Sequence, residues 1–361
     1  MIDRIHGGNI DIFSKRYKLP TKKVIDFSAS INPLGFSPRV RIIIQRNIGR
    51  LVHYPDPESM LLKNALAKFH DIKSENLLVA NGSIELIYLI PKALAAKRIL
   101  IPVPSFSEYE FASRINGSNI FFIKLKEENN FRISINEMIK FIPKVNLVFV
   151  SNPNNPTSGL LSYDEILMLI NECVRYKTML VIDEVFIDFV SDSDKLTMIY
   201  RATKNKYLLI IRSLTKFFGL PGIRLGYFVG NPNLINTLSR HQYPWAVNSL
   251  AQATGMAVIQ DYEYIKKSKE FIATEKAFLF ERLKNLKNLS VYYPSANFIL
   301  CKLEGQKNIN AGRLADSLAR QGIMIRDCSN FRGLDNRFFR IAVRKRKENL
   351  RLVSNLKEIL S

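Results

Sequence analysis

The sequence predicts an α/β protein with a mostly parallel sheet in one large domain, followed by a smaller α+β domain. Over the first two thirds of the chain, apolar runs of strand length alternate with amphipathic stretches of helix length. This alternation is typical of a parallel sheet covered by helices on both faces. Near residue 250 the pattern changes to a long, lysine-rich helical stretch and shorter apolar segments. The length of 361 residues exceeds the ~100–200 residues of a typical domain, so two domains are expected.

The predicted elements follow from this periodicity. Strand-like runs of the large domain occupy residues 98–102, 120–125, 145–150, 179–189, 207–212 and 225–229. Helix-like segments between them occupy residues 83–96, 107–116, 162–176 and 232–240. In the smaller domain the long helical stretch runs through residue 287. It is followed by strand-like runs at 291–293, 297–302, 323–326 and 338–343, a helix at 311–321 and a terminal helix.

These patterns divide the chain into three parts. Residues 1–45 contain Gly7-Gly8, Asn32-Pro33 and Gly35 between short apolar pieces, and we expect them to form an ordered arm. We expect the arm to contribute to the small domain and to cover a ligand site as a lid. Residues 46–250 are predicted to form the large domain and residues 251–361 the small one.

The composition is that of a globular protein with an excess of positive charge. Apolar residues make up 47% and charged residues 24%, but the formal net charge is +21. The basic residues are spread along the chain, and the one dense run, residues 344–347, leads into the apolar positions of a packed terminal helix. A nucleic-acid site would concentrate basic residues with aromatic ones, so we expect no nucleic-acid partner. Small anionic substrates fit the charge better.

No segment indicates export or membrane insertion. The N-terminus lacks the apolar region of a signal peptide, and no stretch approaches the ~18 apolar residues of a membrane span. Only three cysteines occur, Cys173, Cys301 and Cys328, and they are widely spaced. This pattern argues against a disulfide framework or a zinc site, so we expect a cytoplasmic protein without a metal.

Polar motifs follow the apolar residues of three predicted strands. Ser151-Asn152-Pro153-Asn154-Asn155-Pro156-Thr157-Ser158-Gly159 follows the third run, Asp183-Glu184 follows residues 179–182 within the fourth, and Arg212-Ser213-Leu214-Thr215-Lys216 follows residues 207–211 of the fifth. Each motif alone has an ordinary structural explanation, as a turn, a helix cap or a surface lysine. Because ligands of open α/β sheets bind beyond the carboxyl ends of the strands, their shared position favours one ligand site.

The residue types at this edge match the needs of pyridoxal 5′-phosphate (PLP). The amine of Lys216 could form an imine with the aldehyde of this cofactor if its pKa falls below the usual ~10.4. Phe217 and Phe218 would desolvate the amine, and the nearby cation of Arg224 would lower its pKa further. Asp183 lies where a carboxylate could keep the pyridine nitrogen protonated. Lys216 is therefore the predicted catalytic residue.

The other parts of the cofactor also have candidate partners. The phosphate needs hydroxyl groups, a cation and the amides of a helix N-terminus. Candidates for these contacts are Gly82, Ser83, Ser213 and Arg224. Asn155 is predicted to donate a hydrogen bond to the 3-oxygen of the ring, and Phe106 to stack on the ring face.

The motifs at residues 152–159, 183–184 and 213–227 resemble those of the fold-type-I PLP-dependent enzymes, near histidinol-phosphate aminotransferase. The resemblance extends over essentially the whole chain. It implies the fold-type-I architecture, the PLP cofactor and a homodimer. It further implies that Tyr54, in His53-Tyr54-Pro55-Asp56, reaches the cofactor phosphate of the neighbouring subunit.

Three further segments, residues 6–10, 26–35 and 325–331, are similar to the threonine-phosphate decarboxylase branch of this group. This resemblance implies decarboxylation of O-phospho-L-threonine to (R)-1-aminopropan-2-yl phosphate, a precursor of the cobalamin nucleotide loop. Histidinol-phosphate aminotransferase activity and decarboxylation of O-phospho-L-serine remain alternatives. The two phosphoamino acids differ by one methyl group, which is worth only about 1–3 kcal/mol in a pocket. A non-catalytic nucleic-acid-binding protein on the same fold is the alternative from another class.

The substrate-binding residues are predicted from the need to hold two anionic groups. Arg340, in Phe338-Phe339-Arg340-Ile341-Ala342-Val343, is predicted to bind the substrate carboxylate. The alternative for Arg340 is an ion pair with a carboxylate of the protein. Residues predicted to surround the substrate phosphate are His6, Gly7, Gly8, Asn32 and Arg326. For His6 a structural hydrogen bond is the alternative role.

Two positions depart from the pattern of the group. The aminotransferases usually carry a tyrosine shortly after Asp183-Glu184, and its hydroxyl binds the 3-oxygen of the ring. This chain has Phe186 there, so Asn155 is left as the expected side-chain donor. Ser158 also looks inserted between Thr157 and Gly159. We expect neither departure to prevent cofactor binding, and Phe186 favours decarboxylation.

Overall fold

The structure, a computed structural model, describes residues 6–305 and 309–361. Its strands are β1 (Ile25–Asp26), β2 (Leu77–Ala80), β3 (Arg98–Val103), β4 (Asn119–Lys124), β5 (Leu147–Ser151), β6 (Met179–Asp183), β7 (Leu208–Ser213), β8 (Gly226–Gly230), β9 (Leu289–Val291), β10 (Phe298–Leu303), β11 (Ile323–Met324), β12 (Arg326–Asp327) and β13 (Phe338–Ala342). Its α-helices are α1 (Ile10–Tyr17), α2 (Pro38–Asn47), α3 (Met60–His70), α4 (Gly82–Ala93), α5 (Glu108–Ile115), α6 (Ile135–Phe141), α7 (Tyr163–Arg175), α8 (Ser193–Leu196), α9 (Ile199–Lys204), α10 (Pro232–Ser239), α11 (Ser249–Ile259), α12 (Tyr262–Lys284), α13 (Ala311–Arg320) and α14 (Arg346–Leu360).

The large sheet contains seven strands in the order β2-β8-β7-β6-β5-β3-β4. Strand β8 runs antiparallel to both of its neighbours, whereas all other pairs are parallel. Every residue of β2 and of β5 to β8 is buried, as expected for strands covered on both faces. The predicted α/β fold with a mostly parallel sheet is confirmed.

The C-terminal part contains a four-stranded antiparallel sheet in the order β12-β13-β10-β9. Strand β1 of the N-terminal arm pairs in parallel with β11, and Phe27 N donates to Met324 O at 2.7 Å. The arm is therefore joined by backbone hydrogen bonds to the C-terminal part of the chain. The domain boundaries predicted from the sequence stay a prediction.

The structure differs from the sequence prediction at several elements. The strand predicted at 179–189 ends at Asp183, because the Asp183 carboxylate accepts a hydrogen bond from Val185 N and turns the chain. The single long helix predicted up to residue 287 is two helices, since Asp261 caps a new helix by accepting from Tyr264 N. Strand β2 was not predicted, and its four buried residues are too short a run to stand out by periodicity.

The basic run at residues 344–347 precedes and begins the terminal helix, as predicted. Two of its arginines form ion pairs, Arg344 with Glu348 and Arg346 with Glu275. Both ion pairs stabilise the start of α14, so two of the four basic residues in this run have an acidic partner. In the part of the chain that the structure describes, no helix combines the length and apolar character needed to span a membrane.

Candidate active site

The polar motifs at the strand ends meet around one cavity of about 180 Å³. Ser151 and Asp183, the last residues of β5 and β6, line it together with Lys216, three residues after β7. Residues of the N-terminal arm and of β12 and β13 close its other side. The predicted site residues that line this cavity are His6, Gly7, Ser83, Phe106, Asn155, Asp183, Lys216, Arg326 and Arg340.

Lys216 has an environment that favours the neutral amine. Burial lowers its pKa to about 8, and the nearby cations of Arg340 and Arg224 act in the same direction. The sequence suggested Arg224 as the cation, whereas Arg340 has the larger effect. The backbone oxygen of Lys216 accepts a hydrogen bond from Asn32 N at 3.0 Å, which fixes the turn that carries the lysine.

Asp183 is buried and held by two donors. Val185 N donates to one carboxylate oxygen at 2.9 Å, and the Tyr109 hydroxyl donates to the other at 2.6 Å. Burial raises the pKa of Asp183 to about 6 in spite of these bonds. A cationic ring nitrogen beside the carboxylate would therefore be a favourable third partner.

Tyr109 was missed by the sequence reasoning. It lies in α5, three residues after Phe106, and its ring stacks on Phe149 of β5 with 4.9 Å between ring centroids. The ring of Phe106 meets the edge of the Tyr109 ring at 5.8 Å. Proximity to Phe106 was the available signal, but only the folded structure shows that the hydroxyl points to Asp183.

The head of α4 is shaped to receive Arg224. Gly82 has a φ of +77°, and a Cβ atom at this position would lie 2.5 Å from Nη2 of Arg224. At Gly226 a Cβ atom would lie 2.5 Å from Ser83 N, so the start of β8 also packs closely against the helix N-terminus. The lack of side chains at both glycines therefore brings a cation next to the N-terminal amides of a helix, an arrangement suited to an anion.

Gly82, Ser213 and Arg224 lie beside the cavity rather than among the residues that line it. The Ser213 hydroxyl is buried, donates to Leu225 O at 3.3 Å and accepts from Thr215 N at 3.1 Å. Its first role is therefore to hold the turn before Lys216. Contact with a phosphate stays a prediction for these residues.

Arg340 faces the cavity from β13. Its Nη1 donates to Asn155 Oδ1, and its Nη2 donates to Ser28 O at 3.0 Å. Its Nε is buried and has no hydrogen-bond partner among the described residues, and no described carboxylate forms an ion pair with it. Burial lowers its pKa to about 10. The alternative of an internal ion pair is thus not found in the described parts of the chain.

Arg326 stands directly opposite Arg340 in the register of β12 and β13. Directly opposed residues of an antiparallel pair point to the same face of the sheet. The Arg326 guanidinium donates to Asn330 Oδ1 at 2.7 Å and lies 5.1 Å from the centre of the Phe331 ring. Two guanidinium groups on one cavity wall repel each other, and an anion between them relieves this repulsion.

The N-terminal arm reaches the cavity through His6 and Gly7. His6 Nε2 lies 2.8 Å from Glu108 Oε1, and the His6 ring is 5.9 Å from that of Phe106. Gly8 lies outside the lining, and its backbone N donates to the Ser28 hydroxyl at 2.9 Å. The arm is therefore tied down on both sides of Gly7.

The structure places Asn32 outside the residues that line the cavity, so its contact with substrate stays a prediction. The Asn32 amide donates to Phe217 O and to Ser268 Oγ, both at 2.8 Å, and its oxygen accepts from Leu34 N. All of its polar atoms are thus used in holding the loop against the lysine turn. Ser30, two residues earlier, lines the cavity instead, and its buried hydroxyl has no partner among the described residues. Ser28 and Ala29, which precede Ser30, also line the cavity.

Tyr54 lies away from this cavity. Its side chain is 80% exposed and stacks on Trp245 with 4.7 Å between ring centroids. Its predicted contact with a neighbouring subunit stays a prediction.

The two departures from the expected pattern have clear structural settings. Phe186 lines the cavity and meets the ring of Phe298 edge-on at 4.9 Å, so it offers an apolar wall without a donor. Ser158 has a φ of +61°, and its hydroxyl accepts from Ser295 N at 3.0 Å and from Ala296 N at 2.8 Å. Ser158 therefore joins the Asn155 loop to the segment before β10.

The sheet order and the lysine-containing cavity at its carboxyl edge are those of the fold-type-I PLP-dependent enzymes. The chain belongs to the family of class I and II aminotransferases, whose family model matches residues 22–356. It is 38% identical to a putative threonine-phosphate decarboxylase of Caldanaerobacter subterraneus over 98% of this chain and 93% of the relative. It is 36% identical to an adenosylcobalamin biosynthesis bifunctional protein of Leptospira interrogans, over 98% of this chain and 41% of that protein. The crystal structure of the histidinol-phosphate aminotransferase from Clostridium acetobutylicum superimposes with a TM-score of 0.86 at 33% identity, covering 92% of this chain and 98% of that one.

The family implies PLP as cofactor, and the residues present fit this group. An amine with a lowered pKa, a buried carboxylate and an anion cradle at Gly82 lie around one site. Two of the buried atoms without a partner among the described residues, Ser30 Oγ and Arg340 Nε, belong to residues that line the same cavity.

Proposed function

We propose that the chain is a PLP-dependent decarboxylase that converts O-phospho-L-threonine to (R)-1-aminopropan-2-yl phosphate for the nucleotide loop of cobalamin. The observation that carries the proposal is the pair of arginines, Arg326 and Arg340, in register on one wall of the cavity. A substrate with a carboxylate and a phosphate has two anions to place beside two cations. The names of two relatives, putative threonine-phosphate decarboxylase and adenosylcobalamin biosynthesis bifunctional protein, support the same function.

The residues that would hold the cofactor surround Lys216. Asp183 would receive the protonated ring nitrogen, and the amides at the head of α4 with Ser213 and Arg224 would receive the phosphate. Asn155 would donate to the 3-oxygen through its Nδ2, because its Oδ1 already accepts from Arg340. Phe106 would cover the ring face, and Tyr54 of a second subunit would reach the phosphate. When bound, PLP withdraws electrons from the substrate Cα, so that a bond to this carbon can break.

The chain's own residues then decide which bond breaks. The bond that is cleaved must stand perpendicular to the ring plane, and orientation is set by the groups that bind the two anions. Arg340, with Ser30 beside it in the cavity lining, would hold the carboxylate, and Arg326 with His6 the phosphate. Phe186 adds an apolar side chain without a hydrogen-bond donor to the lining of this cavity. Lys216 would finish the reaction by delivering a proton to Cα.

We infer a homodimer that acts in the cytoplasm. Large apolar side chains are exposed near Tyr54, including Val52 at 80%, Leu61 at 65% and Tyr243 at 76%. The stack of Tyr54 on Trp245 joins the two chain segments that carry them. Monomeric proteins rarely expose large apolar patches, so a second copy of the chain is the expected partner.

Histidinol-phosphate aminotransferase is the second candidate, because the 33% identical crystal structure carries that name. Both enzymes would use the same cofactor and a phosphomonoester substrate. O-Phospho-L-serine is a further candidate substrate for decarboxylation.

The test is to incubate the PLP-loaded protein with carboxyl-labelled O-phospho-L-threonine without any 2-oxoacid. Release of labelled carbon dioxide supports decarboxylation, and O-phospho-L-serine in a parallel reaction ranks the two substrates. No release, together with conversion of the cofactor to its amine form and a requirement for 2-oxoglutarate, would favour the aminotransferase. The Lys216→Ala variant serves as the inactive control.

A further inference from the structure

We propose that Glu108 is a positioning residue that orients the imidazole of His6 for binding the phosphate group of the substrate. The inference rests on the proposed function, since it names a part of the same site. It assigns a role to a buried carboxylate that neither the cofactor nor the substrate needs to touch.

Glu108 is the first residue of α5 and only 4% exposed. Its Oε1 lies 2.8 Å from His6 Nε2, and its Oε2 accepts a hydrogen bond from the Tyr88 hydroxyl of α4. The carboxylate is thus held between a rigid helix and the N-terminal arm. Because a carboxylate oxygen only accepts, the ring nitrogen that faces it must carry the proton.

This contact determines what His6 can offer to the cavity that it lines. With Nε2–H engaged by Glu108, Nδ1 is the nitrogen left for a ligand. An imidazolium donates from both nitrogens, so it can join Glu108 on one side and a phosphate oxygen on the other. Without the carboxylate the proton could reside on either nitrogen and the ring could turn away, so the phosphate would lose an aligned donor.

The geometry separates this role from simple anchoring of the arm. The arm is also held by the bond from Gly8 N to the Ser28 hydroxyl and by the pairing of β1 with β11. Removing the charge of Glu108 should therefore leave the arm in place while loosening only the imidazole. A matched control lies two residues away, because Glu110 is equally buried in the same helix and pairs with Arg114 and Arg332. Glu110 does not line the cavity.

The experiment compares Glu108→Gln, His6→Ala and the double variant as PLP-loaded proteins. We expect Glu108→Gln to raise KM for O-phospho-L-threonine about tenfold with little change in kcat, because one aligned charge-assisted hydrogen bond is lost. The change should have little further effect in the His6→Ala background. Glu110→Gln should leave KM unchanged. Additive effects of Glu108→Gln and His6→Ala, or a fall in kcat alone, would overturn the proposal.

A binding readout makes the result independent of the proposed reaction. Calorimetric titration of the loaded protein with inorganic phosphate should show weaker binding in Glu108→Gln and His6→Ala than in wild type and Glu110→Gln. If wild type binds phosphate in this way but releases no carbon dioxide, the proposed function fails while the role of Glu108 stands. If Glu108→Gln does not fold, Tyr88→Phe takes its place, since it frees the carboxylate on one side. It should raise KM by a few fold, and an unchanged KM would then refute the role.

Discussion

Arg340 donates a hydrogen bond to the side-chain oxygen of Asn155, across from β13 to the loop that follows β5. The residue predicted to bind the substrate carboxylate is thus joined to the one predicted to face the cofactor ring. Because the oxygen of Asn155 is engaged by a cation, its Nδ2 is the atom left to donate. Position 186 carries phenylalanine. It therefore offers no hydroxyl group that could bind the 3-oxygen of the ring in place of Asn155.

Replacing Arg340 by lysine should weaken substrate binding. Arginine donates to Asn155 and Ser28 at once and still has Nε for a ligand, whereas an ammonium group cannot reproduce this fork. We expect KM for O-phospho-L-threonine to rise by about 10- to 100-fold. Arg337→Lys, on a half-exposed arginine paired with Asp335, is the matched control and should change little. Equal KM values for the two variants would show that Arg340 does not bind substrate.

The lowered pKa of Lys216 predicts the pH at which apo protein takes up cofactor. Only the neutral amine attacks an aldehyde, so the uptake rate should rise with pH and level off above about 8. Removing a neighbouring cation by Arg340→Gln should move this midpoint to higher pH, because a positive neighbour disfavours the protonated lysine. Stopped-flow absorbance over a pH series measures both midpoints. A wild-type midpoint close to that of free lysine would contradict the burial of the amine.

Ser30 and Asn32 should respond differently to alanine. Ser30→Ala removes a cavity hydroxyl without a described protein partner, so we expect a higher KM and an unchanged free energy of unfolding. Asn32→Ala leaves Ser268 and the Phe217 carbonyl without their donor, so it should cost about 1–3 kcal/mol of stability. Urea denaturation and steady-state kinetics on both variants test this. A higher KM with an unchanged free energy of unfolding for Asn32→Ala, together with a loss of stability for Ser30→Ala, would instead place Asn32 in the substrate site.

Ser158 offers a test of how the loop around Asn155 is held. Both Ser158→Ala and Ser158→Gly lose the acceptor for Ser295 N and Ala296 N, which should cost about 1–3 kcal/mol. Glycine relieves the strain of the positive φ, so the alanine variant should be the less stable of the two. Thermal unfolding of the apo proteins gives the order. Equal stability of wild type and both variants would mean that the hydroxyl carries no such role.

The sequence predicted the fold and the part of the site that lies at the strand ends. This was possible because the carboxyl ends of parallel strands lie at one edge of a sheet. Asp183 and Lys216 follow directly from this rule, since each lies at or just after a strand. Ser30, Tyr109 and Glu108 could not be found this way. Their roles depend on the direction of a loop side chain or on partners far along the chain, such as the pairing of Glu108 with His6. Periodicity describes which face a residue lies on, but not which distant atom it meets.

In the proposed reaction, the bond from Cα to the carboxylate breaks and Lys216 then protonates Cα. Mass spectrometry of the product formed from O-phospho-L-threonine in D₂O tests it most directly. We expect aminopropanyl phosphate that retains the original Cα hydrogen and carries one added deuterium on the same carbon. A 2-oxoacid product that has lost the Cα hydrogen, with no carbon dioxide released, would contradict decarboxylation by this chain.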